Sequence, residues 1–340
     1  MANPFLAMVA RPFKQRGNNK KLNQQSAEGV YEKKFLRING FEQYVTIRGC
    51  HKENPVLLII HGGPGSSYTP FNVWLLEWEK YFTIVQWDQA GSGKTFKKNG
   101  TSQKITFDIL AKDGIALTNY MLDYLKKDKL LLVGSSVGSL VALKMIKQEP
   151  GLFAAYVGTD QNSPGGIDDA YRQITKNTEN CKDTKSTKFL KAIGENRHNW
   201  TIEQYGKLMK VGIANCKTAP NMVYDLMLPA IMYDADYSMQ DIKLMDQGMK
   251  YAMEQIYKEL LTFDFDQLGI EFNVPIYVFQ GKDDCITPYV SAEKYFQEII
   301  SPKKKFVPIS NAGHLAMFCN PTQFLQELLK INLKTMIGNT

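Results

Sequence analysis

Histidine and cysteine are both scarce in this 340-residue chain, which allows each one to be weighed individually. There are four histidines (His51, His61, His198, His314) and five scattered cysteines (Cys50, Cys181, Cys216, Cys285, Cys319), odd in number and without a CxxC pair. That pattern excludes a disulfide scaffold and a zinc ribbon, and it favours reduced thiols. No apolar run approaches the ~20 residues that a membrane span requires. Low-complexity tracts and internal repeats are missing as well. With 44% hydrophobic, 11% aromatic and 22% charged residues, the composition is that of a folded globular chain rather than a disordered or collagenous one. The length suffices for one large domain or two modest ones with a sizeable core.

The formal net charge is +7, and its distribution matters more than its size. Residues 1–34 hold Arg11, Lys14, Arg16, Lys20, Lys21, Lys33 and Lys34 against Glu28 and Glu32, so most of the excess sits in a short N-terminal stretch. A basic tail of this kind reads as a solvated arm rather than a nucleic-acid surface. The arm also carries Phe5, Leu6, Met8, Val9 and Ala10, but its positive charge follows the apolar run, whereas a secretory signal places it before. The expectation is a cytoplasmic protein, with membrane-surface contact through the arm left open.

Beyond the arm, two alternating runs, 35–38 and 43–47, flank Asn39-Gly40 and predict a hairpin. Continuous apolar runs follow at 56–60, 82–85, 130–133, 153–157, 276–279 and 306–309, as strands covered on both faces require. Helical patterns lie between them at 106–126, 137–148, 289–300 and 321–334. This alternation predicts an α/β fold with a mostly parallel central sheet flanked by helices. The stretch 164–270 has charged helical segments and no strand run, and it reads as an all-helical insertion between two core strands. The expected organisation is a basic arm (1–29), a core in two parts (30–163 and 271–340) and the helical insertion between them.

Gly134-Ser135-Ser136-Val137-Gly138 joins the run 130–133 to the helix 137–148. A serine between two such glycines suits a strained strand-to-helix turn that exposes the hydroxyl. A serine hydroxyl needs a base within hydrogen-bond reach, and the base needs an orienting carboxylate. Gly281-Lys282-Asp283-Asp284 and Asn311-Ala312-Gly313-His314 each follow a later strand, so both lie at the carboxyl edge that bears Ser136. His314 is the candidate base. Asp284 is the favoured acid, with its neighbour Asp283 the alternative. His61-Gly62-Gly63-Pro64-Gly65 occupies the same edge after the run 56–60, and the backbone N–H groups of Gly63 and Val137 are the candidate oxyanion donors. His61 is expected to shape its turn, and His51 and His198 to be on the surface. Gly91-Ser92-Gly93-Lys94-Thr95 imitates the end of a phosphate-binding loop. That motif needs a glycine five residues before Gly93, where Asp88 stands, so a nucleotide is not expected.

Taken together, His61-Gly62-Gly63-Pro64-Gly65, Asp88-Gln89-Ala90-Gly91-Ser92-Gly93, the Ser136 turn and the Asp284 and His314 loops resemble the α/β-hydrolases, and within them the proline iminopeptidase family. The resemblance implies an α/β-hydrolase fold with a helical cap at 164–270 and no metal or organic cofactor. It implies a serine hydrolase working through an acyl-enzyme, foremost an aminopeptidase releasing an N-terminal residue from small peptides. A carboxylesterase or amidase acting on small acyl substrates is the alternative, and a non-catalytic ligand-binding protein the remote one. The chain departs from the family at Ser135 and Val137, where glycine and tryptophan are usual, and at Ala90, where arginine is usual. The family's cap glutamate motifs for the substrate amine are missing. Candidate substitutes are Asp160, Asp168, Asp169, Asp234 and Asp236, with Tyr233, Tyr237, Met232 and Met239 as candidate pocket walls. The expected partner is a small molecule or short peptide and not nucleic acid; the oligomeric state stays open.

Overall fold

A computed structural model describes residues 4–216 and 220–331. The chain opens with helix α1 (Pro4–Leu22) and the hairpin β1 (Val30–Ile38) and β2 (Phe41–Gly49), turned at Asn39-Gly40 with both residues at positive φ. Then come β3 (Val56–Ile60), β4 (Thr83–Trp87), α2 (Gly93–Asn99), α3 (Phe107–Leu125), β5 (Leu130–Ser135), α4 (Val137–Gln148) and β6 (Phe153–Thr159). Helices α5 (Gly166–Asn180), α6 (Thr184–Ile193), α7 (Ile202–Asn215), α8 (Leu228–Tyr233), α9 (Met239–Leu261) and α10 (Phe265–Leu268) follow. A π-helical turn, Met222–Met227, runs directly into α8. The chain then forms β7 (Ile276–Gly281), α11 (Tyr289–Glu298), β8 (Lys304–Ile309), α12 (Ala316–Cys319) and α13 (Pro321–Leu329).

The strands form one sheet in the order β1-β2-β4-β3-β5-β6-β7-β8, with β1 and β2 antiparallel and β3 to β8 parallel. From β3 the chain moves outward to β4, then returns to place β5 on the other side. That reversal makes the β3/β5 carboxyl end a topological switch point, where the helices on opposite faces diverge and leave a crevice. Both β3 and β5 are buried throughout, because separate apolar layers cover the two faces of the sheet. Edge strand β8 is more exposed and tolerates Pro308, since an edge can leave a backbone position without a ladder bond.

The strands fall where the apolar runs predict them. Helix α3 starts at the expected cap, with Thr106 Oγ1 accepting from Ile109 N. Helices α11 and α13 end earlier than their patterns suggest, at Glu298 and Leu329, and positions 332–334 of the second lie outside the described residues. The N-terminal stretch departs most from expectation. Residues 4–22 form a helix seated on α8 and on the 3₁₀ turn Thr69–Leu75, with Ala7 and Leu22 buried. Gln15 and Asn18 side-chain amides donate to the carbonyls of Asp234 and Tyr233, and Arg11 donates to that of Tyr237. A helix held by polar side chains on carbonyls carries little apolar periodicity, and so it reads as a solvated arm in sequence. Among the described residues, no helix is long and apolar enough to cross a membrane.

Candidate functional site

Ser136 sits where β5 turns into α4, with φ 54° and ψ −128°, a conformation a non-glycine residue adopts only when its surroundings enforce it. The enforcement is visible in how tightly the neighbouring backbones approach. A Cβ on Gly138 would lie 2.3 Å from the carbonyl oxygen of Ile60, and one on Gly62 would lie 2.6 Å from Ser136 Cβ. The glycines of both motifs are therefore required by the close approach of two chain segments.

The Ser136 hydroxyl is 3.0 Å from His314 Nε2, and His314 Nδ1 is 2.9 Å from Asp284 Oδ2. Asp284 is wholly buried and fixed by its own loop: it accepts from the N–H groups of Ile286 and Thr287 and from Thr287 Oγ1 at 2.7–2.9 Å. The contacts to His314 Nδ1 come from Asp284 and not from Asp283, whose backbone N–H donates to Ala312 O and whose carbonyl accepts from Cys216 Sγ. Burial by itself would depress the His314 pKa. The Asp284 carboxylate more than reverses this, with Asp160 adding to it, and the pKa is raised to about 9.

Asp160 is the residue whose place differs most from its sequence-based reading. It is fully buried beneath the site, with positive φ, and does not face the cavity. Its carboxylate accepts from Ala316 N at 2.9 Å and from Ser135 Oγ at 2.8 Å, while Tyr68 OH lies 2.9 Å from the same Ser135 oxygen. Ser135 thus has a structural account. A hydroxyl at this position ties the elbow to Asp160 and Tyr68. Desolvation raises the Asp160 pKa, although His314 and these donors oppose the rise.

His61 is buried and has a turn-shaping place. Its Nδ1 donates to Gly62 O at 2.9 Å and its Nε2 accepts from Gln89 N at 3.2 Å. Desolvation lowers its pKa to about 4, so it is a neutral ring. His51 and His198 are exposed. The segment that imitates a phosphate loop wraps a carboxylate instead: buried Asp88 accepts from Lys94 N at 2.8 Å, and a Cβ on Gly93 would meet it at 2.2 Å. Asp88 also accepts from Ser67, from Thr69 Oγ1 and from Tyr237 OH.

Ser136, Val137, Gly63 and His314 open on a cavity of about 230 Å³. Its far walls are apolar: Ile167 from α5, Tyr205, Met209 and Ile213 from α7, Met222 and Met227 from the π-helical turn, and Met249 and Met253 from α9. No carboxylate, lysine or arginine lines it among the described residues. The acids offered as amine ligands are otherwise engaged. Asp168 pairs with Arg197, Asp169 with Arg172, and Asp236 with Lys33, while buried Asp234 accepts from Asp236 N. Desolvation raises Asp234 to about 7. Tyr237 is a buried strut on Asp88, Tyr233 offers its carbonyl to α1, and Met232 and Met239 lie against Arg11. None of these lines the cavity. No local sequence pattern distinguishes Tyr68, Tyr205 or the cavity methionines; only Tyr68, three residues after Gly65, lies close to a motif.

Residues 55–185 match the alpha/beta hydrolase fold family, and the eight-stranded sheet with its switch-point elbow agrees with that match. The chain has the α/β-hydrolase fold. Among known proteins it is similar to a probable aminopeptidase, YbaC, of Bacillus subtilis (strain 168), at 29% identity over 303 residues, covering 87% of this chain and 94% of that one. A proline iminopeptidase of Lactobacillus crispatus (strain ST1) is 34% identical over 106 residues, 31% of this chain and 34% of that one. The crystal structure of a proline iminopeptidase-related protein from Thermus thermophilus superposes with a TM-score of 0.61 at 16% identity, over 91% of this chain and 98% of that one.

Proposed function

We propose that this α/β-hydrolase is a serine hydrolase that works through an acyl-enzyme and accepts an uncharged, apolar acyl group. The observation that carries the mechanism is the 3.0 Å contact of Ser136 Oγ with His314 Nε2, backed by Asp284 on Nδ1. Ser136 Oγ attacks the substrate carbonyl while His314 takes its proton. The N–H groups of Gly63 and Val137, both at the cavity wall, receive the developing oxyanion. His314 then returns the proton to the leaving group, and water attacks the ester on Ser136 by the same route in reverse. The helices between β6 and β7, residues 164–270 in the sequence-based division, act as the cap that forms the acyl pocket.

Among the described residues no carboxylate lines the cavity, which favours an ester or amide with an apolar acyl part, because a free ammonium placed against that lining would be desolvated without a partner. An aminopeptidase is the second reading, favoured by the resemblance to YbaC over most of both chains. The two are separated by a free-amine aminoacyl β-naphthylamide, its N-acetyl analogue and an acyl β-naphthyl ester assayed in parallel. We expect kcat/KM for the ester and the acetylated amide to exceed that for the free amine, the latter pair by about a hundredfold. Preference for the free amine would select the aminopeptidase.

The pH profile tests the histidine. A general base must be neutral, so kcat/KM should fall as pH drops through the His314 pKa, with the midpoint of that limb well above the usual imidazole value and toward 9. In Asp284→Asn the raising carboxylate is gone, so the limb should move to lower pH while kcat drops on the order of 10⁴-fold. An unmoved limb would show that Asp284 does not govern the base.

A further inference from the structure

The outward face of α1 has a composition that the hydrolytic site does not explain. Phe13, Val9 and Met8 are 76%, 59% and 57% exposed, among the most exposed large apolar side chains of the protein. At 100° per residue, Met8, Val9, Phe13, Arg16 and Lys20 fall within one sector of about 140°, while Ala7, Arg11, Gln15, Asn18 and Leu22 occupy the sector turned to the protein. Lys14 and Lys21 are exposed as well, but on this wheel they lie closer to the sector turned to the protein. Among the described residues, none of Lys14, Arg16, Lys20 and Lys21 forms an ion pair.

We infer that this face of α1 seats the enzyme on an anionic lipid surface. Three apolar side chains supply insertion into the headgroup region, and the cations beside them supply attraction to lipid phosphates, the two contributions that hold a helix in the membrane plane. The charge decides against a second copy of this chain as the occupant, since two such faces would bring like charges together. The helix is firmly attached to the body through Arg11, Gln15 and Asn18. A bound α1 would therefore hold the whole domain at the surface. It clasps α8, which directly follows the cavity-lining turn Met222–Met227.

The test is co-sedimentation of the full chain with vesicles of phosphatidylcholine containing about one third phosphatidylglycerol, against phosphatidylcholine alone. Wild type should bind the anionic vesicles at least about tenfold more tightly and release from them at about 0.5 M NaCl. Phe13→Asp, and separately Arg16→Glu with Lys20→Glu, should each weaken binding about tenfold while hydrolysis of a soluble ester is unchanged. No binding by wild type, or equal binding by wild type and both variants, would overturn the inference. A dimer in sedimentation equilibrium that Phe13→Asp dissociates, without vesicle binding, would overturn it in favour of self-association.

Discussion

Ser136→Ala is expected to leave a folded protein whose kcat falls on the order of 10⁶-fold and which no longer reacts with a fluorophosphonate probe. The hydroxyl lies 3.0 Å from Nε2 of His314, the proposed base, and its loss would leave that base with nothing to activate. Residual hydrolysis should persist above the uncatalysed rate, because the N–H groups assigned to the oxyanion are backbone atoms and survive the substitution. The fold should tolerate alanine well. The elbow's geometry is set by the approach of Gly62 and Gly138 to neighbouring segments, and Ser135 rather than Ser136 makes the ties to Tyr68 and Asp160. Probe labelling that persists in the variant, or a wild type that is not labelled, would refute the assignment and revive the reading of a ligand-binding protein without chemistry.

Arg48→Met is expected to destabilise the protein by about 3–5 kcal/mol, measured by urea unfolding. Arg48 lies in β2 with its guanidinium buried against buried Glu79, Nε donating to Oε1 at 2.6 Å and Nη2 to Oε2 at 3.3 Å. The same Nη2 reaches the carbonyl of Leu22, 3.0 Å away, at the end of α1. Removing the cation strands a carboxylate whose pKa is already raised by desolvation, with Arg48 the opposing influence. The double variant Arg48→Met with Glu79→Met should recover much of the loss, since replacing a whole buried pair with apolar side chains is often nearly neutral. A single variant as stable as wild type would show that the pair contributes nothing.

How far sequence carries the reading depends on how local each feature is. The strands β3 and β5 announce themselves as unbroken apolar runs because both faces are covered. The elbow at Ser136 and the turn at Gly62-Gly63 announce themselves because close backbone approach admits few residues. Asp284 and His314 each follow a strand, and parallel strands deliver their following loops to one edge. By contrast, Asp160 reads in sequence as a candidate ligand for a substrate amine. In the fold it is buried, and its carboxylate accepts from the N–H of Ala316, 156 residues along the chain. Tyr237 reads as a pocket wall and is held instead by Asp88, from a distant loop. Helix α1 escapes a sequence reading because amide and guanidinium groups on distant carbonyls leave no periodic apolar signature.

Sequence alone therefore determined the α/β alternation, the candidate nucleophile, base and acid, and the two turns around them, each being a pattern of neighbours along the chain. Tertiary structure decided which way the helices between β6 and β7 face. That packing turns Met209, Met222, Met227, Met249 and Met253 into the cavity and turns Asp168, Asp169, Asp234 and Asp236 toward other partners. Side chains of these helices can meet either water or the site with the same local pattern, so only their arrangement over the sheet fixes what the pocket is made of.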